Sequence, residues 1–124
     1  MENTSCVRSF TDTSQITRCK ATIDTLNGSF THVANGLEMA GNPVRLKILF
    51  LLSEEKGLCV CDLSDILGVT VSAVSQHLRK MKDRSLIQST KEGQTIYYSL
   101  SPKYATVLRP FFQIIAESEV LEAV

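Results

Sequence analysis

Cys59 and Cys61 form a C-x-C pair, and Cys6 and Cys19 precede them near the start of the 124-residue chain. The first twenty residues are polar and mixed in charge, without the apolar stretch of a secretory leader. No apolar run approaches the roughly 18 residues needed to cross a bilayer. The expected compartment is therefore the cytoplasm, without membrane attachment. There, four cysteines point to metal or redox chemistry rather than a disulfide framework. A C-x-C pair can place two sulfurs near one ion, and thiolates, the metal-binding form, are favoured at helix N-termini. Two sulfurs rarely complete a site, since a structural zinc takes four ligands. Cys6 and Cys19 are the expected source of the remainder. A mostly sulfur shell selects soft ions, namely Cd(II), Pb(II), Hg(II) or Cu(I), with Zn(II) also admitted. Trivalent arsenic is an alternative, and so is a thiol redox sensor in which oxidation replaces metal. His32 and His77 read as non-ligands, and Asp62 as a helix-start carboxylate. No catalytic acid/base pair with an orienting partner and no phosphate-cradling glycine loop is present, so an enzyme is not expected.

A second chemistry lies in the charge distribution. Lys and Arg together balance Asp and Glu, for a net charge of +0. Between Gln76 and Gln94, however, Arg79, Lys80, Lys82, Arg84 and Lys91 face only Asp83 and Glu92. A basic segment inside a neutral chain is an electrostatic footprint for nucleic acid. Ser72, Ser75, Gln76 and Arg79 suit base edges: Gln pairs with adenine, Arg with guanine, and Ser with either partner. Arg79, Lys80, Lys82 and Arg84 suit phosphates. His77 shares their surface, while Lys91 and Gln94 would meet the neighbouring backbone.

The elements that must position these residues follow from periodicity. Residues 1–20 lack a pattern and read as a flexible arm carrying Cys6 and Cys19; residues 21–124 read as one domain. Short helical spacing over 21–26 breaks at Asn27-Gly28, and apolar positions 30, 33, 34, 37 and 40 predict a helix. Pro43 suits the first turn of a core helix over 44–53. A short helix over 61–67 should bury Leu63, Ile66 and Leu67. After a Gly68-Val69 turn, Thr70 caps a helix over 71–83 whose inward stripe is Val71, Val74, Leu78 and Met81. Strands over 86–90 and 95–100 flank a hairpin at Lys91–Gln94, with Gly93 free to take positive φ. Ser101-Pro102 opens a last helix reaching about Leu121, with a bend expected at Pro110. The fold class is mainly α with a small β-hairpin wing (α+β), a winged helix-turn-helix. In that arrangement the second helix of the turn enters the major groove.

The stretch Leu58-Cys59-Val60-Cys61-Asp62-Leu63 carries a resemblance, together with Leu67-Gly68-Val69-Thr70-Val71-Ser72-Ala73-Val74-Ser75-Gln76-His77-Leu78, Lys91-Glu92-Gly93-Gln94 and Tyr97-Tyr98-Ser99-Leu100. It resembles the ArsR/SmtB family of metal-responsive winged-helix repressors, nearest the CadC-like cadmium- and lead-sensing branch. The resemblance implies a homodimer that binds operator double-stranded DNA, in the form of an inverted repeat, and leaves it when metal binds. It also implies an arm whose cysteines close a thiolate site over the C-x-C. The first and last helices would form the dimer interface, with Tyr104, Val107, Leu108, Phe111, Phe112, Ile115 and Leu121 offered by the last. The family's zinc site on that helix has no counterpart in Ser101-Pro102-Lys103-Tyr104.

Overall fold

A computed structural model describes residues 6–117. Leu121 and the residues around it lie outside the described residues. Helices α1 (Thr13–Thr25), α2 (Asn27–Ala40) and α3 (Pro43–Glu54) lead to a two-residue strand β1 (Leu58–Cys59). Helices α4 (Val60–Leu67) and α5 (Val71–Asp83), strands β2 (Ile87–Glu92) and β3 (Thr95–Leu100), and helix α6 (Pro102–Ala116) complete the chain. By contacts the chain divides into two compact units, with the boundary between Thr31 and His32.

In the first unit, the segment expected as a patternless arm carries most of α1. Asp12 caps this helix, accepting from the Gln15 amide at 3.0 Å. The residues that follow include the good helix formers Gln, Arg, Lys and Ala. No α1 residue is buried, so the helix owes nothing to a core. Without a core-facing stripe, its polar composition reads as irregular chain. Asn27-Gly28, expected as a break, opens α2 instead.

The second unit holds the core. Asn42 caps α3, its Oδ1 accepting from the Val44 and Arg45 amides at 3.0 Å each, and Pro43 takes the first helical position. Ile48, Leu49 and Leu52 from α3 are buried with Leu63, Leu78, Met81 and Leu108. Phe50 and Phe112 meet edge to face at 5.7 Å. Two expectations about apolar faces need correction. Ile66 of α4 is 54% exposed, because it lines an open recess with Leu46, Phe50 and Leu67, and Val71, the first residue of α5, is 46% exposed. On α2 the buried residues are Gly36 and Met39, while Val33 and Leu37 face outward.

Gly68, at φ +68°, ends α4 in the left-handed conformation and turns the chain into α5. The Ser64 hydroxyl donates to the Val69 carbonyl across that turn at 2.6 Å. The far end of α5 closes similarly on a residue that is not glycine, Ser85, at φ +70°. The Leu86 amide reaches the Met81 carbonyl (2.9 Å) and the Ser85 amide the Lys82 carbonyl (3.0 Å), the paired bonds of a Schellman ending. The sheet has the order β1-β3-β2, all antiparallel. Strand β2 runs further than expected, because Lys91 pairs with Ile96 and Glu92 with Thr95. The turn then shrinks to Gly93-Gln94, with Gly93 at φ +65°. Strand β1, too short for a periodicity to reveal, pairs Leu58 with Tyr98 and Cys59 with Tyr97.

Candidate nucleic-acid interface and thiol pair

Helix α5 begins where Thr70 Oγ1 accepts from the Ala73 amide at 3.1 Å. Val74, Leu78 and Met81 are buried to 1% exposure or less and anchor the helix to the core. The spacing of those three fixes what points outward: Ser72, Ser75, Gln76, Arg79, Lys80 and Lys82 are all exposed. Lys80 and Lys82 occupy the last turn, where cations also complement the helix dipole. Their charge thus has a stabilising use besides any partner. Lys91 and Gln94 are exposed at the tip of the β2–β3 hairpin. The hairpin is held beside α5: Tyr98 shares a recess with Ser75, Leu78, Arg79 and Lys82.

Two of the candidates are less free than the sequence suggests. His77 is half-buried. Burial foremost, then the charges of Arg45 and Lys80, hold its imidazole below its ordinary pKa of 6.5. At neutral pH it offers a neutral ring to this surface, not a cation. Arg84 directs its guanidinium back to α2, donating to Asn35 Oδ1 at 2.9 Å and pairing with Glu38 Oε1 at 3.0 Å. Sequence reasoning missed Asn35. Its place on a helix predicted from apolar spacing alone gave no signal for a contact reaching 49 positions along the chain.

The thiols Cys59 and Cys61 stand together at the start of α4. Cys59 is the N-cap residue and also the last residue of β1. It is half-buried and Cys61 is exposed; both are free thiols. The Asp62 carboxylate turns back to accept from the Cys59 amide at 3.2 Å, so it serves as the expected helix-start carboxylate. The pair therefore sits at a junction. Backbone pairing ties it to β3 of the hairpin, and one two-turn helix ties it to α5. Cys6 and Cys19 are exposed residues of the first unit. Among the described residues no group of three or more His, Cys, Asp or Glu side chains is gathered as a metal site. Cys59 and Cys61 are the two thiols of the second unit, standing two positions apart at one helix start.

Comparison with known proteins places this architecture. Residues 42–89 match the arsR family of bacterial regulatory proteins. A cadmium resistance transcriptional regulatory protein CadC homolog from Staphylococcus aureus is 36% identical over 76 residues, which are 61% of this chain and 63% of that relative. The chain thus spans somewhat less than two thirds of that relative's length. The arsenical resistance operon repressor of Escherichia coli is 37% identical over 65 residues, covering 52% of this chain and 56% of the repressor. Among solved structures, a predicted DNA-binding transcriptional regulator from E. coli aligns with a TM-score of 0.67 at 32% identity, over 74% of this chain and 98% of that one.

Proposed function

Since this chain belongs to the arsR family of bacterial regulatory proteins, whose members are DNA-binding transcriptional regulators rather than enzymes, we propose that it is a homodimeric repressor released from operator DNA when a soft metal ion binds Cys59 and Cys61. The observation that carries this reading is the position of the thiol pair, joined to the hairpin on one side and, through α4, to α5 on the other. Ser72, Ser75 and Gln76 would read base edges in the major groove, and Arg79 would meet a phosphate. Lys80, Lys82, Lys91 and Gln94 would hold the backbone, which fixes register without reading sequence. His77, neutral and half-buried, would contribute a hydrogen bond at most.

A second copy is the natural cover for the large apolar side chains left outside the core: Val33 and Leu37 on α2, Phe111 and Ile114 on α6; Tyr104, Leu108 and Phe112, expected on that face, are buried within the chain itself. Two-fold symmetry then matches an inverted-repeat operator with half-sites one helical turn apart. The donor set fits a soft ion in part. Cys59 and Cys61 would hold it, and Cys6, Cys19 or both would complete the shell. Bound metal would supply a link between thiolates that are otherwise independent. Cys59 cannot change its backbone geometry without disturbing both its pairing to Tyr97 and the first turn of α4. A coupling of about 1–3 kcal/mol is usual for such switches, and it is reciprocal, so DNA weakens metal by the same factor. The inducer class is Cd(II), Pb(II), Hg(II) or Zn(II). Arsenite is the second reading, favoured by the arsenical-resistance relative.

Titration of the reduced protein with Cd(II), followed by thiolate-to-metal ultraviolet absorption, tests the site. Wild type should saturate at one ion per site, and Cys59→Ser/Cys61→Ser should lose the band. Serine also caps helices well, so the variant keeps α4. A band unchanged in that variant would sink the assignment. Cys6→Ser and Cys19→Ser, titrated alongside, identify which thiol completes the shell.

A further inference from the structure

The end of α5 is gripped from α2 and α6 by a small polar cluster. Asn35 uses its whole amide there: Nδ2 donates to the Arg84 carbonyl at 3.0 Å and to the Tyr104 hydroxyl at 2.8 Å. Its Oδ1 accepts from the Arg84 guanidinium at 2.9 Å, and Glu38 accepts from the same nitrogen at 3.0 Å. Tyr104 is itself fixed. It is 4% exposed, its ring lies 4.2 Å from that of His32, and it fills the space left by Gly36. A methyl group on Gly36 would come within 2.9 Å of Tyr104 Cε1. One half-buried amide thus joins α2, the first turns of α6 and the C-terminal end of α5.

We infer that Asn35 is a positioning residue for DNA reading, one that sets the angle at which α5 is presented. The inference rests on the repressor reading above. Its physical basis is leverage. Thirteen residues of α5 span about 20 Å. A tilt of roughly 10° between α5 and the helices that Asn35 ties to it carries Ser72 and Ser75 by about 2–3 Å, beyond what a hydrogen bond to a base tolerates. Phosphate contacts by long lysines follow such a swing, but base contacts do not. Loss of Asn35 should therefore lower sequence discrimination while leaving charge-driven binding alone. The ion pair between Arg84 and Glu38 cannot replace it, because both side chains are largely exposed and such pairs are weak.

The experiment compares wild type, Asn35→Ala and Asn35→Asp on two duplexes: one selected by the wild-type protein from a randomised pool, and one of the same composition scrambled. Asn35→Asp keeps the shape and removes both donors, so it isolates the amide from packing. Circular dichroism and thermal unfolding check that each variant is folded. The expected result is a roughly tenfold weaker affinity for the selected duplex, the scale of one lost base contact. Affinity for the scrambled duplex and the salt slope on it should stay within about twofold of wild type. A selected-to-scrambled ratio that does not change overturns the inference. An equal loss on both duplexes is one such outcome and would mark Asn35 as structural only. If wild-type protein itself selects no duplex, the repressor reading fails, and this inference with it.

Discussion

Replacing Lys82 with Gln should relax the salt dependence of DNA binding by a calculable amount. Each phosphate neutralised releases condensed counterions, so the logarithm of affinity falls with the logarithm of salt in proportion to the contacts made. Arg79, Lys80, Lys82 and Lys91 are exposed, and among the described residues none of them takes part in an ion pair. Arg84 is excluded, since its guanidinium is spent on Asn35 and Glu38. A dimer would then neutralise about eight phosphates, for a slope of about −7 and a roughly 10⁴-fold loss of affinity between about 50 and 200 mM salt. Lys82→Gln removes one contact from each protomer and should bring the slope to about −5. Arg84→Gln should leave the slope at its wild-type value. Fluorescence anisotropy of a labelled duplex across a salt series measures all three. A wild-type slope shallower than about −3 would refute the reasoning, as would a Lys82→Gln slope equal to wild type.

Two further outcomes follow from single residues. Ser85→Gly should stabilise the fold by about 0.5–1 kcal/mol. Left-handed backbone costs an L-residue about 1–2 kcal/mol, partly offset by the greater unfolded freedom of glycine. The urea midpoint at fixed protein concentration should rise with unchanged m-value, and a midpoint that falls would mean the serine side chain is needed there. His77 is held below its usual pKa of 6.5, so the unfolded chain takes up that proton first as pH falls. Stability from this group is complete above 6.5 and declines below it, until pH passes the folded value. His77→Gln should flatten that part of the decline in urea midpoints between about pH 7.5 and about pH 5.5, whereas an identical decline in the variant would show that other groups cause it.

Local signals made the helix-turn-helix legible. Thr70 caps α5 where expected, Gly68 supplies the turn, and Val74, Leu78 and Met81 are the buried stripe. The hairpin and the Pro102 start of α6 follow from equally local chemistry. What stayed hidden depends on distant contacts or on their lack. Strand β1 exists only because β3 lies beside it. Helix α1 has no core face to announce it. The outward turn of Val33 and Leu37 could not be separated from a core-facing stripe by spacing, which reports that a face is apolar and not what covers it. At the candidate site, exposure of the α5 side chains was readable from the stripe opposite. The occupation of Arg84 by Asn35 and the lowered pKa of His77 were not, because the first depends on a residue remote in sequence and the second foremost on burial.

The central claim joins two properties, DNA binding and thiol-based release, and one measurement addresses both. Reduced wild-type protein and Cys59→Ser/Cys61→Ser are bound to a labelled duplex selected by the wild type, and Cd(II) is added while anisotropy is followed. Both proteins should bind the duplex with comparable affinity before metal, since the substitution keeps the α4 cap and leaves α5 untouched. Wild type should then release it, with affinity falling about 5- to 150-fold, and the double variant should stay bound. Release of the double variant at the same Cd(II) concentration as wild type would contradict the account.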